Sequence, residues 1–303
     1  MTLAEFYNTQ LERWPMAAAN FSALKVVTLR GMDVPAASST PWHVTLQHNP
    51  ARVRSTAAKV DAASIAARPC FLCAKNRYAE QLSLAPGDLS AELAGLEYEL
   101  LLNPFPIFPL HFTIPAKEHV PQIIAVEGCK RFGHMLRLAA AMPGMGLFYN
   151  GAHCGASAPD HFHFQAVEAD RLPLLEYPEK APFLAFVRES DDCGEMMAWF
   201  RSVVAKLSDM KALQDAAGEP EPRMNILCRY DSGRWRTVVI PRRRHRPDFY
   251  GEGEGKFMLS PASVDLAGVV VVPSPDDFAR ITPAVVADLV AQTCLPPDTL
   301  TSL

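Results

Sequence analysis

The stretch Asn150-Gly-Ala-His-Cys-Gly-Ala-Ser-Ala-Pro-Asp-His-Phe-His-Phe-Gln165 decides how this chain folds and where its chemistry lies. It ends in three polar side chains at alternate positions, His161, His163 and Gln165, with two phenylalanines between them. If this end is a β-strand, the polar side chains share one face and the phenylalanines take the other. The Gly and Ser residues before it form a small-residue loop that lets a ligand approach backbone N–H groups closely. The combination suggests phosphate chemistry.

The composition indicates a globular protein with a sizeable core. The chain has 303 residues, of which 49% are hydrophobic, and this fits two modest domains or one large duplicated domain. A net charge of −4 gives no reason to expect nucleic acid or an anionic membrane surface as a partner. The longest aliphatic run, Ala267–Val272, is far too short to span a bilayer. The first residues lack the features of a secretory signal or transit peptide, so we expect a cytoplasmic protein.

Hydrophobic periodicity predicts long helices mixed with strands. The helical candidates are Leu3–Trp14, Val120–Ala141 and Asp192–Ala217. The strand-like runs are Lys25–Leu29, Glu97–Leu102, His111–Ile114, Gly146–Tyr149, His161–Ala166, Met224–Cys228, Thr237–Ile240 and Gly268–Val272. Because strands and helices do not alternate regularly, the pattern predicts an α+β fold with an antiparallel sheet and packed helices.

A faint internal repeat flanks a Gly-Glu-Pro-Glu-Pro stretch. The segment His111-Phe-Thr-Ile-Pro-Ala-Lys-Glu-His119 follows Asn103, and Arg236-Thr-Val-Val-Ile-Pro-Arg-Arg-Arg-His245 follows Asn225. Each copy has an Asn, a strand that ends in Ile-Pro, and a His four residues after the Pro. We therefore predict two related halves, of which the first carries the chemistry and the second completes the sheet and pocket. The predicted halves are residues 1–217 and residues 218–303.

Cys70-Phe-Leu-Cys73 has the spacing of a metal-binding knuckle, because two thiolates three residues apart can hold one tetrahedral Zn²⁺. The chain has no second pair of this kind, so histidines would supply the other ligands. The candidates are His111, His119, His153, His161 and His163. The local sequence leaves open the alternative of two ordinary buried thiols. A disulfide framework is not expected from seven mostly scattered cysteines, and a thioredoxin-like motif would need a βαβ context that is missing.

The two histidines of the His161-Phe-His163 segment have several conceivable roles. Both could be core imidazoles, although each would then need a buried hydrogen-bond partner. Both could bind a catalytic metal, as His-x-His strands do in several metal enzymes. Alternatively, one could be a metal ligand and the other a nucleophile. The residues by themselves leave these alternatives open.

The stretch Gly155–Gln165 resembles the active-site strand of the transferase branch of the histidine-triad superfamily. That branch includes galactose-1-phosphate uridylyltransferase, diadenosine tetraphosphate phosphorylase and GDP-L-galactose phosphorylase. Other segments are similar to the arginine segment, the zinc knuckle, the strand ending in Ile-Pro and the C-terminal part of these enzymes. These segments are, in order, Asn49–Arg54, Cys70–Arg77, His111–His119, and Met224–Arg242 with Ser263–Gly268. The matches span most of residues 49–280.

The resemblance implies a HIT-like fold and a role for each matching residue. It makes His163 the nucleophile that attacks an α-phosphorus and is transiently nucleotidylated. Gln165 stands where the hydrolase branch has a third histidine, and its amide holds the phosphoryl oxygens. The implied ligands of a structural Zn²⁺ are Cys70, Cys73, His119 and His161. The implied substrate- and phosphate-binding residues are Arg52, Arg54, Asn76, Arg77, Lys117, Asn150, Gly155 and Ser157.

We therefore expect a nucleotidyltransferase of the phosphorylase type. It would move a nucleoside monophosphate from a nucleotide sugar or dinucleoside polyphosphate to phosphate or a sugar phosphate, through a covalent nucleotidyl-histidine. We expect these small molecules as partners, a homodimer as the assembly, and no nucleic acid or membrane. One alternative is a HIT-like nucleotide hydrolase, or a metal enzyme with both strand histidines as ligands. The other is a non-catalytic nucleotide-binding protein. Gln165 favours transfer over hydrolysis, and His163 favours catalysis over binding alone.

Two features depart from the family pattern. The loop from Ser157 to His161 is one residue longer than in the uridylyltransferases, and Asp160 stands where that pattern has Pro. Asp160 could therefore be a hydrogen-bond partner of an imidazole that binds the metal. The basic run Arg242-Arg-Arg-His-Arg246 is also denser than the resemblance predicts. It either binds a phosphate tail of the substrate or forms a solvated turn, and we favour the turn.

Overall fold

A computed structural model describes residues 1–35, 40–59, 61–210, 213 and 219–300 of the chain. The strands of the described part are β1 (Thr28–Val34), β2 (Trp42–His48), β3 (Ser83–Leu84), β4 (Leu100–Leu102), β5 (His111–Pro115), β6 (Met145–Asn150), β7 (His163–Glu168), β8 (Phe186–Ser190), β9 (Met224–Asp231), β10 (Arg234–Pro241) and β11 (Val269–Val272). Its α-helices are α1 (Leu3–Arg13), α2 (Pro15–Ala23), α3 (Val53–Thr56), α4 (Ala62–Ala66), α5 (Pro86–Leu89), α6 (Lys130–Ala141), α7 (Cys193–Asp209), α8 (Ser263–Leu266), α9 (Pro275–Arg280) and α10 (Pro283–Thr293). None of the described helices combines the length and the apolar character that crossing a bilayer requires.

Eight strands form one antiparallel sheet in the order β3-β4-β5-β7-β6-β9-β10-β8, which we call the large sheet. Strands from both predicted halves share this sheet, and they meet where β6 pairs with β9 and where β8 pairs with β10. The other three strands form a small sheet in the order β1-β2-β11, in which β11 runs parallel to β2. The predicted α+β fold with an antiparallel sheet is confirmed. The boundary between residues 217 and 218 stays a prediction.

The alternation of side chains along β7 decides which face of the large sheet carries the polar residues. Phe162 and Phe164 are fully buried in the core beneath α1, α2, α6 and α7. His163 and Gln165 face the opposite side, where the second core lies between the large sheet and the small sheet. Burial of each phenylalanine contributes about 2 kcal/mol, so a register shift that exchanged the two faces would be costly.

The structure corrects the predicted helix Val120–Ala141, which begins only at Lys130. The carbonyl of Val120 accepts a hydrogen bond from the backbone N–H of Phe162 at 2.7 Å. The side chain of Gln122 also bonds to the backbone near the start of β7. These tertiary hydrogen bonds satisfy polar groups that a helix would have satisfied internally, so the first ten residues form a loop.

The other predicted elements differ mainly at their ends. The predicted helix Asp192–Ala217 corresponds to α7, and Asp192 is its N-cap because its carboxylate accepts a hydrogen bond from the backbone N–H of Glu195 at 2.9 Å. Residues 211, 212 and 214–217 of that prediction lie outside the described residues. The predicted strand Lys25–Leu29 lies further along the chain as β1. The sequence pattern missed β2, β3 and β8 among the strands, and α2, α3, α4, α5, α8, α9 and α10 among the helices.

The basic run at the end of β10 divides into residues with different environments. Arg242 is fully buried, whereas Arg243 and Arg244 are exposed and Arg246 lines a cavity. The Arg242 guanidinium donates hydrogen bonds to the backbone carbonyls of Arg244, His245, Pro261 and Thr293 and to Oδ1 of Asn225. The predicted solvated turn therefore holds only for the middle of the run. Arg242 instead joins β9 to the segment before α8 and to the C-terminal end of α10.

We expect Arg242→Met to lower the free energy of unfolding by about 3 kcal/mol or more, because several buried acceptors would lose their charged donor. Urea unfolding followed by circular dichroism measures this difference. Arg243→Met is the matched control, and its effect should stay within about 0.5 kcal/mol because the side chain is exposed. Equal stability of the two variants would contradict the proposed role of Arg242.

Candidate active site

A cavity of about 680 Å³ opens between the large sheet and the small sheet. The predicted site residues that line it are Arg52, Asn150, Gly155, Ser157, His163 and Gln165. Its apolar walls include Leu101, Phe105, Ile107, Phe148, Val264 and Val271, and its cationic residues are Arg52, Lys59, Arg68 and Arg246. Apolar walls with a few polar groups at one end are typical of a pocket for a small molecule such as a nucleotide.

His163 is held as a neutral imidazole with one defined tautomer. Its Nδ1 lies 2.8 Å from the carbonyl oxygen of His161, and because a carbonyl can only accept, Nδ1 carries the proton. Nε2 is then the unprotonated nitrogen. Burial lowers the pKa of His163 to about 4, so the ring is uncharged near neutral pH. Gln122 holds the same residue by its backbone, since it accepts from the His163 N–H at 2.7 Å and donates to the His163 carbonyl at 3.0 Å.

A chain of hydrogen bonds fixes the orientation of the Gln165 amide. The backbone N–H of Ile107 donates to Nδ1 of His111 at 3.1 Å, so the proton of this neutral imidazole lies on Nε2. Nε2 of His111 then donates to Oε1 of Gln165 at 2.8 Å. Since the amide oxygen is occupied, the NH₂ group of Gln165 is the part left to donate to a ligand. His111 was a candidate metal ligand, and the structure gives it this positioning role instead.

Asn150 is oriented in the same way, from the second predicted half. Its Oδ1 accepts hydrogen bonds from the backbone N–H of Ser263 at 2.9 Å, from the Ser263 hydroxyl at 2.7 Å and from Nδ2 of Asn225 at 2.8 Å. A backbone N–H can only donate, so the contacting atom of Asn150 is its oxygen. Its NH₂ group is therefore available to a ligand in the cavity. Asn225 is itself fixed by the buried Arg242 at 2.6 Å.

Gly155 brings the small-residue loop close to the second predicted half. It has a φ of +98°, and a Cβ at this position would lie 2.5 Å from Cβ of Ala262. Any other residue would be strained and would push the loop away from Ala262. The loop that contains Gly155 and Ser157 therefore lies along the cavity wall, as the sequence pattern predicts for a phosphate-binding loop.

Cys70, Cys73, His119 and His161 come together in one cluster beside the cavity. One potential ligand atom from each lies within 4.8 Å of the others. Sγ of Cys70 is 3.3 Å from Nδ1 of His161, and Sγ of Cys73 is 3.3 Å from Nδ1 of His119. Nε2 of His161 is 2.8 Å from the carbonyl oxygen of Ala116, so it donates there and leaves Nδ1 free to bind a metal.

The donor set of this cluster fits a closed tetrahedral site. Two thiolates and two imidazoles are the ligands of many structural metal sites, so the four residues could hold a metal ion. His163 does not belong to the cluster, although it is only two residues from His161. His161, just before β7, therefore faces the cluster, whereas His163, the first residue of β7, faces the cavity.

Three residues with predicted phosphate contacts lie outside the cavity lining. Asn76 donates to the carbonyl of Cys70 at 2.9 Å, and Arg77 donates to the carbonyl of Leu72 at 3.0 Å while it pairs with Glu99 at 2.6 Å. Both residues thus hold the backbone of the Cys70–Cys73 knuckle. Lys117 forms an ion pair with Glu97 at 3.2 Å. The side chain of Arg54 lies outside the part of the chain that the structure describes.

Arg52 and Asp265 are two charged residues of the cavity lining. Arg52 donates to the carbonyl of Phe105 at 2.6 Å, and burial lowers its pKa to about 10, which still leaves it cationic near neutral pH. Asp265 accepts hydrogen bonds from the backbone N–H groups of Ala262 and Val271, and burial raises its pKa to about 6. This wall therefore presents one fixed cation close to a carboxylate.

Sequence reasoning missed several residues that shape the site. Gln122, Ser263 and Arg68 contact the active strand or its loop from distant parts of the chain. Gln122 and Arg68 belong to no motif with characteristic spacing. Ser263 and Asn225 lie in segments that resemble the C-terminal part of the family, and Asn225 also belongs to the internal repeat, but neither signal gave them a role as partners of Asn150.

The buried His111 makes unfolding sensitive to pH. Burial lowers its pKa to about 3 in the folded protein, whereas the unfolded value is near 6.5. Between these values only the unfolded state binds the proton, so stability falls as the pH drops, by about 1 kcal/mol per pH unit. We expect His111→Gln to make the pH dependence of the unfolding free energy shallower between pH 6.5 and pH 4. Urea unfolding at several pH values measures the slope, and an unchanged slope would contradict the assignment.

Three similar solved structures are those of yeast Ap4A phosphorylase Apa2. The first has a TM-score of 0.61 at 20% sequence identity, over 93% of this chain and 97% of that chain. The complex with Ap4A gives 0.60 at 19%, over 96% and 98%, and the complex with AMP gives 0.57 at 19%, over 95% and 97%. The likeness confirms the HIT-like α+β fold that the sequence resemblance implied.

The comparison by sequence gives a family but no characterised relative. No curated protein matches the chain. A family model matches residues 6–168, a range that includes the knuckle, β5, β6 and the active strand β7. Since this match covers more than half of the chain, the protein belongs to the family described as Domain of unknown function (DUF4922).

Proposed function

We propose that the protein is a nucleotidyltransferase of the phosphorylase type that cleaves dinucleoside polyphosphates through a covalent intermediate on His163. The observation that carries the proposal is the neutral His163, which keeps its proton on Nδ1 beside the oriented amides of Gln165 and Asn150. Yeast Ap4A phosphorylase, which shares the fold, has been crystallised with AMP and with Ap4A, and this supports a dinucleoside polyphosphate as the substrate.

In the first step Nε2 of His163 attacks the α-phosphorus of the substrate. A P–N bond forms, the P–O bond to the bridging oxygen breaks, and the rest of the substrate leaves as a nucleoside polyphosphate. The imidazole becomes positively charged because it keeps the Nδ1 proton. The His161 carbonyl accepts a hydrogen bond from Nδ1–H and stabilises this charge. The NH₂ groups of Gln165 and Asn150 donate to the phosphoryl oxygens.

In the second step an oxygen of inorganic phosphate attacks the same phosphorus. The P–N bond breaks, His163 returns to its neutral form, and a nucleoside diphosphate leaves. No side chain has to remove a proton from this acceptor, because phosphate already carries anionic oxygens. Water would need such a base, and Gln165 cannot act as one. The amide at this position therefore favours transfer to phosphate over hydrolysis.

The ligands of the transferred nucleotide follow from the lining of the cavity. We propose that Gly155 and Ser157 present their loop to the phosphates and that Arg52 supplies positive charge. A sugar phosphate could replace phosphate as the acceptor, since both bring an anionic oxygen to the phosphorus. The homodimer and the two related halves remain predictions.

We further propose that the Cys70, Cys73, His119 and His161 cluster holds a structural Zn²⁺. The ion would cross-link the knuckle to His119, in the segment after β5, and to His161, two residues before β7. Its contribution is mechanical, because the four protein ligands complete a tetrahedral site and leave no position for substrate. The knuckle residue Leu72 lines the cavity, so a fixed knuckle also fixes part of the pocket wall.

Covalent labelling tests the nucleophile. After incubation with diadenosine tetraphosphate labelled at the α-phosphate, the wild-type protein should carry acid-labile, hydroxylamine-sensitive label. His163→Ala should abolish it and lower turnover by about 10³-fold or more. His153→Ala is the matched control, since the exposed side chain of His153 lies outside the cavity lining. Label that persists undiminished in His163→Ala would refute the proposed mechanism.

Metal analysis tests the zinc site. We expect about one zinc per chain, retained after dialysis, because two thiolates and two imidazoles bind zinc tightly. Cys70→Ser should lose the metal. Cys193→Ser should retain it, since Cys193 is an exposed free thiol on α7 outside the cluster. Zinc that is retained in Cys70→Ser would show that the four-ligand assignment is incorrect.

A further inference from the structure

We propose that Arg68 binds the phosphate that neighbours the scissile bond on the leaving side, and that Asp160 is the positioning residue that holds Arg68 there. The inference rests on the proposed function and assigns the site of the phosphate chain within it. Neither residue belongs to the set that the family resemblance implies.

The position of Arg68 is defined by three contacts. Its Nη2 nitrogen donates hydrogen bonds to the carbonyl of Ser157 at 3.3 Å and to Oδ1 of Asp160 at 3.1 Å. Its guanidinium carbon lies 5.3 Å from the centre of the Phe71 ring, a cation–π contact. All three contacts hold the side chain at the wall of the cavity that also contains His163.

Arg68 has a donor that the protein does not satisfy. In the described part of the chain, three buried side-chain nitrogen or oxygen atoms have no hydrogen-bond partner. They are Nε of Arg30, Nε2 of His48 and Nη1 of Arg68. Of these three residues, Arg68 alone lines the cavity. An unsatisfied buried donor costs about 1–3 kcal/mol and needs an explanation. The Arg68 side chain as a whole is 26% exposed where it lines the cavity, so a phosphate there would give the planar guanidinium further acceptor oxygens in a matching geometry.

The distribution of charge separates the two sides of the scissile bond. The amides of Gln165 and Asn150, which are neutral donors, serve the phosphoryl group that is transferred. The polyphosphate that leaves carries more negative charge, and more charge develops on it as the P–O bond breaks. A fixed cation therefore stabilises the transition state most when it contacts the leaving polyphosphate. The second step reverses the first in geometry, so the acceptor phosphate enters the position that the leaving phosphate vacates and meets Arg68 as well.

Asp160 explains how Arg68 is held. Its side chain is only 16% exposed, and its carboxylate joins Arg68 at 3.1 Å to Nε2 of His119 at 3.8 Å. The sequence has Asp160 where the uridylyltransferase pattern has Pro, and a Pro could not pair with Arg68. The contact between Asp160 and an imidazole that the sequence predicted is thus present between Oδ2 and His119. Oδ1 of the same carboxylate contacts Arg68 and so connects Asp160 to the cavity wall.

Nucleotide binding to the full chain tests the proposal. In the His163→Ala background, which prevents turnover, calorimetry measures the Kd of AMP and of ATP. We expect Arg68→Met to weaken ATP binding by about tenfold or more, because a charge-assisted contact is lost, and to change AMP binding by less than about twofold. Unchanged AMP binding also shows that the variant is folded. Arg171→Met is the matched control, since Arg171 pairs with Glu168 outside the cavity lining.

The pair is tested by a double-mutant cycle and by kinetics. Asp160→Asn should weaken ATP binding less than Arg68→Met does, and it should add no further loss when Arg68 is already Met. In otherwise wild-type protein, Arg68→Met should raise the KM for phosphate, and Arg68→Lys should restore part of the loss. A merely structural ion pair would lower stability without changing the ratio of ATP to AMP affinity.

Two results would overturn the inference. One is an equal loss of AMP and ATP affinity in Arg68→Met, and the other is no loss of either. Failure of the proposed function looks different, because wild-type protein would then form no nucleotidyl-histidine. Dependence of ATP binding on Arg68 would still be measured in that case, so the two failures are distinguishable.

Discussion

Burial of Phe162 and Phe164 on one face of the large sheet is the constraint on which the rest of the site depends. Successive side chains of a strand point to opposite faces, so this burial forces His163 and Gln165 toward the cavity. The segment before the strand leaves that alternation, and the preceding imidazole joins the cysteines. One short stretch thus supplies a member of the Cys/His cluster, the proposed nucleophile and an amide donor.

The polar side chains at the cavity are oriented by hydrogen bonds from backbone N–H groups, which can only donate. The backbone N–H of Ile107 determines the tautomer of His111, which in turn orients Gln165. The backbone N–H of Ser263 orients Asn150 from the other side. Because the amide oxygens are occupied in advance, both NH₂ groups are prepared for an anionic ligand before it binds. Such preorganisation is a main source of catalysis in electrostatic sites.

A large part of the site could be predicted from the sequence. The alternation in His161–Gln165 predicted the shared face of His163 and Gln165, and the family resemblance grouped the two cysteines with two histidines. The resemblance implied phosphate contacts for Arg77 and Lys117, and the structure shows both paired with carboxylates outside the cavity lining. A motif records which residue types occur at a position. It does not record which acceptor a long, flexible side chain finds in the folded protein.

The sequence was enough to predict the fold class, the position of β7 and the residue types of the candidate site. These depend on local periodicity and on short motifs, which act over a few residues. The packing of the chain keeps Val120–Cys129 out of α6, buries Arg242 and brings Arg68 to Asp160. Arg68 and Asp160 are 92 residues apart in the chain, and no local pattern reports contacts over such a separation. The physical reason is that buried charges and orphan backbone groups find their partners only when the two sheets pack together.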